Sequence, residues 1–117
     1  MTGVTELSVS VSEEDRQGGS RTVVRLVGEA DATTGALAEV LDTEAAKKPR
    51  LLLVDTSGLA FIDSAALHEI VRVHQKLRAD GCQLALVSPS RVVTRVLELS
   101  AIDQVIPVHA SAEEADA

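Results

Sequence analysis

Aromatic residues are almost absent from this chain of 117 residues, since Phe61 is the only one and there is neither Trp nor Tyr. Proteins that bind single-stranded nucleic acid without sequence preference stack bases on aromatic side chains, and this chain has no such platform. Basic residues are also in the minority, with 11 Lys and Arg against 18 Asp and Glu, a net charge of −7. A phosphate backbone or an anionic membrane would repel this charge. We therefore expect no direct nucleic-acid binding and no membrane binding.

Residues that hold metals and cofactors are equally scarce. Cys82 is the only cysteine, which excludes an internal disulfide and a cysteine-based metal cluster. The histidines His68, His74 and His109 show no metal-ligand spacing with a carboxylate, and His74 falls on an apolar helix face where a packed, hydrogen-bonded residue is usual. Neither a Gly-x-x-x-x-Gly-Lys nor a Gly-x-Gly-x-x-Gly phosphate motif is present. We expect no metal and no cofactor.

Long hydrophobic runs are missing as well, and none approaches the length that crosses a membrane. The first residues carry neither a basic segment nor an apolar one, so we expect a cytoplasmic protein. The length fits one domain, and the apolar fraction of 45% suits a globular fold. We expect this domain over residues 5–110. Residues 111–117 should form a short helix or a frayed tail, because Ser111-Ala112-Glu113-Glu114 fits a capping box.

Hydropathy patterning predicts an α/β domain with the order ββαβαβαβ(α). The first two strands should form an antiparallel hairpin, and the later alternation predicts a mixed, mostly parallel sheet with helices. The predicted strands cover residues 7–12, 22–27, 51–54, 83–87 and 105–108, with a polar turn between the first two. One predicted helix ends before Pro49, and a second covers residues 64–79. A third helix should have Pro89 or Ser90 in its first turn and Val92 on its inner side.

The segment from Leu51 to Leu67 organises the rest of the chain. Leu51–Val54 is an unbroken apolar run, which is typical of a strand buried on both faces. A polar turn at residues 56–58 should follow, and Asp63-Ser64 stands where a helix begins. On a helical wheel the Ser64 hydroxyl faces solvent. The positive end of a helix favours phosphate, so this corner suits chemistry that involves phosphate.

The residues alone leave several interpretations of this corner open. Ser64 can cap the helix, which is worth roughly 1 kcal/mol. It can be a hydrolase nucleophile with His68 one turn later, although the Gly-x-Ser-x-Gly surround is missing. It can be a phosphorylation site, where about −1.5 to −2 charges beside Asp63 would change what binds there. Glu29 and Asp31, which follow the second strand, can be an acid–base pair or capping and solvated groups.

The segment from Val54 to Leu67 resembles the phosphorylation-site signature of bacterial anti-sigma factor antagonists. These proteins are stand-alone STAS domains (sulphate transporter and anti-sigma factor antagonist). Gly28-Glu29-Ala30-Asp31 is similar to the family's Gly-Glu-Leu-Asp at the end of the second strand. Residues 84–90 and 95–99 resemble its fourth strand and third helix. The similarity extends from about residue 7 to residue 108.

This resemblance implies a non-enzymatic regulator that switches partners. The unmodified protein would bind an anti-sigma factor that is also a serine kinase, and the sigma factor would then be released. The kinase would use ATP to phosphorylate Ser64 and break the complex, and a PP2C-type phosphatase would restore it. The residues expected to bind partners are Glu29, Asp31, Asp63, Ser64, Ala65, Ala66 and His68.

One position departs from the family's Asp-Ser-Ser-Gly-Leu or Asp-Ser-Ala-Gly-Leu, because Ala66 stands where glycine is usual. A glycine in the first helical turn lets another backbone come close. The extra methyl group would therefore loosen partner contact or alter selectivity. The departure also leaves open a second function, that of a STAS module in a transporter or sensory complex that is not a phosphoswitch.

Overall fold

The computed structural model describes residues 7–16, 19–31 and 35–115. Their order confirms the predicted α/β class with a mixed sheet. The elements are β1 (Ser8–Arg16), β2 (Gly19–Ala30), α1 (Gly35–Ala46), β3 (Leu51–Ile62), α2 (Ser64–Ala79), β4 (Gln83–Val87), α3 (Arg91–Ser100), a short 3-10 helix (Ile102–Gln104), β5 (Val108–His109) and α4 (Ala112–Ala115).

The five strands lie side by side in sequence order, β1-β2-β3-β4-β5. β1 and β2 pair antiparallel, with Ser8 opposite Val27, and every later pair is parallel. Parallel neighbours need a crossover connection, and α1, α2 and α3 supply it. Since parallel strands end at the same edge of a sheet, the end of β2 meets the end of β3, where Ala30 lies opposite Ile62.

The main core lies between one face of the sheet and helices α1, α2 and α3. It is aliphatic, and a fully buried Leu, Ile or Val side chain contributes about 1.5–3 kcal/mol relative to exposure. The opposite face has a smaller cluster, in which α4 packs against part of β3 and β4. Its buried members are Leu51, Leu53, Ala85 and Val87, with Ala112 and Ala115 of α4 beside them.

Helix α2 has the predicted bounds and turns its apolar side to the core. On its outer side Arg72 donates two hydrogen bonds of 3.0 Å to the Asp42 carboxylate of α1. The Arg72 guanidinium holds the pKa of Asp42 below its usual value. Both side chains are 44% exposed, so this pair contributes only about 0.2–1 kcal/mol.

Strand β3 is longer than predicted. The expected polar turn at residues 56–58 is wrong, because β3 continues to Ile62. Two register shifts in the β2–β3 ladder, after Arg25 and after Gly28, accommodate additional residues of β3. The Asp55 carboxylate accepts a hydrogen bond from the Ser57 N–H at 2.9 Å. These bulges let polar residues stand inside a paired strand.

The hairpin and the last elements also differ from the predictions. The expected turn between the first strands is mostly strand, since β1 reaches Arg16 and β2 begins at Gly19. The last strand is two residues long and begins at Val108, because a 3-10 helix precedes it. Before α4, the Ser111 hydroxyl accepts from the Glu114 N–H at 3.2 Å, and the Glu114 carboxylate accepts from the Ala110 N–H.

Helix α3 begins after the predicted position. Ser90 is its N-cap, and its hydroxyl accepts from the Val93 N–H at 3.2 Å. The prediction that Pro89 or Ser90 lies in the first helical turn is therefore wrong. The buried residues of the helix are Val93 and Leu97, whereas Val92, predicted to face inward, is exposed.

Candidate functional site

The corner between β3 and α2 is fixed by Asp63. Its backbone is extended, with φ −102° and ψ 176°. Its N–H donates to the Ala30 carbonyl at 3.0 Å, and its carbonyl accepts from Leu67 at the start of the helical ladder. Its carboxylate accepts from the Ala66 N–H at 2.9 Å. Asp63 is thus the N-cap of α2, and it joins the helix to the end of β2.

Ser64 is the first residue of α2 and not its cap, so the interpretation of Ser64 as the capping residue is wrong. Its side chain is exposed, as the helical wheel predicted. His68 is also exposed one turn later, and the structure has no hydrogen bond between the two side chains. The corner therefore presents an accessible hydroxyl that is not paired with this histidine as a base.

Two acidic residues, one near the end of β2 and one directly after it, lie beside the corner. Glu29 is opposite Phe61 in the ladder, and Asp31 follows Ala30, whose carbonyl accepts from Asp63. Glu29, Asp31 and Asp63 are all half-buried. The structure therefore brings three carboxylates to the sheet edge where Ser64 stands. From the sequence, Asp31, Thr33 or Thr34 can cap α1, and the two threonines lie outside the described residues.

The two alanines after Ser64 differ in exposure. Ala65 is half-buried, whereas Ala66 is 3% exposed and belongs to the main core. The Ala66 methyl group therefore packs inside the domain. An effect of this methyl group on a partner would have to act through the packing of α2, and not through direct contact.

Two features near the corner were missed by sequence reasoning. The Ser90 hydroxyl donates to the Leu59 carbonyl at 2.8 Å, which attaches the start of α3 to the late part of β3. Phe61 is 43% exposed, and Val27 is 44% exposed. Alternation along a strand would have indicated Phe61, because its neighbour Ile62 faces the core.

A cavity of about 260 Å³ lies at the other end of α2, and its lining includes His74, Arg78 and Leu84. His74 is 5% exposed, and neither ring nitrogen has a hydrogen-bond partner in the described part of the chain. The prediction of a packed histidine is confirmed. Burial lowers the pKa of His74, and the charge of Arg78 lowers it further, whereas the backbone of Leu84 and Val105 acts weakly in the opposite direction.

Residues 7–16, 19–31 and 35–115 contain no group of three or more His, Cys, Asp or Glu side chains that could hold a metal ion. In the same ranges no helix has both the length and the apolar character to span a membrane.

Comparison with known proteins shows similarity to one family and to anti-sigma factor antagonists. The model of the STAS domain family matches residues 10–115. The anti-sigma-F factor antagonist RsfA of Mycobacterium tuberculosis is 30% identical over 99 residues, which cover 82% of this chain and 77% of RsfA.

Solved structures resemble the whole described domain. The crystal structure of an anti-sigma factor antagonist from Mycobacterium paratuberculosis has a TM-score of 0.78 and 26% identity, over 92% of this chain and 91% of that one. The unphosphorylated form of SpoIIAA, a Bacillus protein, has a TM-score of 0.69 and 20% identity, over 94% and 92% of the two chains. At this identity the second comparison shows a shared fold alone.

Proposed function

The chain belongs to the STAS domain family, and we propose that it is an anti-sigma factor antagonist that does not act as an enzyme. The names of its relatives support the general function. The observation that supports a phosphoswitch is the exposed Ser64 at the first position of α2, with the capping role taken by Asp63. The unmodified form binds an anti-sigma factor serine kinase in the cytoplasm and frees the sigma factor.

Phosphorylation of Ser64 is compatible with the fold. The first N–H groups of a helix have no intrahelical partner. The Ala66 N–H donates to the Asp63 carboxylate. The first hydrogen bond of the helical ladder runs from the Leu67 N–H to the Asp63 carbonyl, so the N–H groups of Ser64 and Ala65 come before the ladder begins. A phosphate on Ser64 would meet these N–H groups and the positive end of the helix dipole. The domain should therefore keep its structure when it is modified.

The effect of the phosphate falls on the partner. It adds about −1.5 to −2 charges to an edge that already holds Glu29, Asp31 and Asp63. A full switch from bound to free requires about 10⁴-fold weaker binding, or about 5.5 kcal/mol. A doubly charged group forced into a desolvated interface can supply much of this. A PP2C-type phosphatase removes the phosphate and restores binding.

The competing interpretations have less support from the geometry. A serine hydrolase needs a base for Ser64, and His68 makes no hydrogen bond to it. For a STAS module without a phosphoswitch, the supporting feature in the sequence is Ala66 in place of the usual glycine. Because the Ala66 side chain is buried in the core, it leaves the surface around Ser64 open to a partner.

The acceptor is tested by incubating the protein with purified anti-sigma factor serine kinases of the source organism and ATP. Mass spectrometry of the products should place one phosphate on Ser64. Ser64→Ala should remain unmodified and should keep its complex with the kinase in ATP. Phosphate on another residue, or none with a kinase that is active and binds the protein, would contradict the assignment.

The charge effect is tested with Ser64→Asp and a matched control, Ser12→Asp. Ser12 is exposed on β1, opposite Val23 and far from the corner. We expect Ser64→Asp to bind the kinase weakly and Ser12→Asp to bind it as the wild type does. Equal binding by all three proteins would refute a switch based on charge at this corner. Treatment of the phosphorylated protein with a PP2C-type phosphatase should return its affinity to the starting value.

A further inference from the structure

Two apolar side chains, Val27 and Phe61, stand on the open face of the sheet next to the Ser64 corner. Residues opposite each other in a ladder point to the same face, and neighbours along a strand point to opposite faces. Phe61 is opposite Glu29, and Val27 and Glu29 are two apart on β2. Because Ala30 and Ile62 face the main core, Val27 and Phe61 face away from it. We call this pair the apolar strip.

Gly58 shapes the strip. It lies opposite Val27, and a Cβ atom added to Gly58 would be 2.8 Å from the Val27 Cγ2 atom and 3.1 Å from the Leu26 carbonyl oxygen. The absence of a side chain at Gly58 therefore lets Val27 lie close against β3, on the strand that also holds Phe61. The two apolar groups thus stand on neighbouring strands, on the same face of the sheet.

The described residues leave the strip open. On this face α4 covers only the early part of β3 and β4, through Leu51, Leu53 and their neighbours. Val27 and Phe61 remain 44% and 43% exposed. Single exposed apolar side chains are ordinary, but Phe61 is the only aromatic residue of the chain. Aromatic residues are enriched at the cores of protein interfaces, where a few anchors supply most of the binding energy.

The charges around the strip identify the kind of partner. Glu29 is opposite Phe61, and Asp31 and Asp63 follow at the same edge of the sheet. Arg25, two residues before Val27 on the same face, forms an ion pair with Asp55 at 3.5 Å. An apolar centre bordered by carboxylates matches a partner that has an apolar recess within a basic surface. We propose that Phe61 is the aromatic anchor of the interface with the anti-sigma factor and inserts into such a recess. This inference rests on the proposed function and extends its binding surface around the corner to the open sheet face.

Affinity for the partner and the switch that ends binding are assigned to different residues, Phe61 and Ser64. Phe61 precedes Ser64 by three residues and lies on the sheet, whereas Ser64 lies on the helix. The anchor holds the unmodified protein on its partner, and the phosphate repels the partner at the rim of the same interface. Loss of the anchor should therefore weaken binding mainly through faster dissociation.

The first test compares the affinities of Phe61→Ala, Phe61→Leu and Leu99→Ala for the purified anti-sigma factor serine kinase without ATP. Leu99 is a matched control, because it is 75% exposed at the C-terminal end of α3. We expect Phe61→Ala to bind at least about ten-fold more weakly, with Phe61→Leu between it and the wild type. Leu99→Ala should stay within about two-fold. Binding of Phe61→Ala within two-fold of the wild type would overturn the inference.

The second test uses Phe61→Trp, which gives the chain a single tryptophan. Iodide should quench its fluorescence in the free protein, and the kinase should protect it and shift the emission to shorter wavelength. The anchor would be overturned if a kinase that binds the protein left the tryptophan open to iodide quenching. It would also be overturned if the tryptophan were already protected from iodide in the dilute free protein. Protection that rises with the protein's own concentration would indicate contact with a second copy and would likewise overturn it. Failure of the wild type to bind any such kinase would instead refute the proposed function itself, and the anchor with it.

Discussion

Because Asp63 and not Ser64 caps α2, alanine substitutions at these two positions should differ in their effect on the stability of the fold. Asp63→Ala removes the carboxylate that accepts from the Ala66 N–H at 2.9 Å, while the backbone contact with Ala30 can remain. Ser64→Ala removes a hydroxyl that makes no hydrogen bond within the described chain. The two substitutions are adjacent, and each replaces a polar side chain with the same Ala methyl group, so they form a pair for comparison.

The expected magnitudes differ clearly. Loss of an N-cap costs about 1 kcal/mol, within a range of roughly 0.5–2. The negative charge at the helix N-terminus adds about 0.3–1 kcal/mol. We therefore expect Asp63→Ala to lower the free energy of unfolding by about 1–2 kcal/mol. Ser64→Ala should change it by less than about 0.5 kcal/mol, and Asp63→Asn should fall between them, because an Asn side chain caps without the charge.

Urea denaturation followed by circular dichroism measures these differences, since the midpoint shifts while the slope stays constant. Thermal unfolding gives a second reading, at about 4 °C for each kcal/mol in a domain of this size. A larger loss from Ser64→Ala than from Asp63→Ala would refute the cap assignment. It would also remove the argument that the Ser64 hydroxyl is available for modification.

Two further substitutions test the strand packing and the buried histidine. Gly58→Ala should destabilise the fold by about 1–3 kcal/mol, because the added Cβ would lie 2.8 Å from the Val27 side chain and 3.1 Å from the Leu26 carbonyl oxygen. In the matched control Gly35→Ala the added Cβ meets nothing within 4 Å, so this substitution should be neutral or slightly stabilising. Equal effects of the two substitutions in urea denaturation would contradict this reasoning. Because the pKa of His74 is lowered from 6.5 in the folded state, the unfolded chain takes up its proton first, so stability is full above about pH 6.5 and falls as the pH decreases toward the folded pKa. His74→Gln should therefore gain stability relative to wild type between pH 7 and pH 5, and parallel pH profiles of the two proteins would refute the reasoning.

Sequence reasoning succeeded where one face of an element is strictly apolar. Helix α2 and strand β4 have the predicted bounds, because a wide apolar arc or a buried run leaves few alternatives. The parallel pairing of the later strands followed from the alternation of strands and helices, and the antiparallel pairing of the first two strands followed from the short connection between them. The structure gathers Glu29, Asp31 and Asp63 at one edge of the sheet with Ser64, and their part in partner binding stays a prediction.

Two of the misses depend on a partner that is distant in sequence, and a third depends on local backbone conformation. The polar residues 56–58 read as a turn, yet pairing with β2 keeps them in a strand through two register shifts. Ser90 reads as a helix-start residue, and its contact with the Leu59 carbonyl comes only from the fold. Asp63 and Ser64 are both good capping residues, and the extended backbone of Asp63 decided between them.

The unequal support along β3 has a consequence for local unfolding. From Leu51 to Asp55 the strand has neighbours on both sides, since its pairing with β4 ends at Asp55 opposite Val87. Beyond that point β2 alone continues the ladder, and Ser90 supplies a hydrogen bond at Leu59. Cooperative units with fewer contacts open at lower free energy than the core. We therefore expect the part of β3 beyond Asp55 to open at a lower free energy than the part that is paired on both sides.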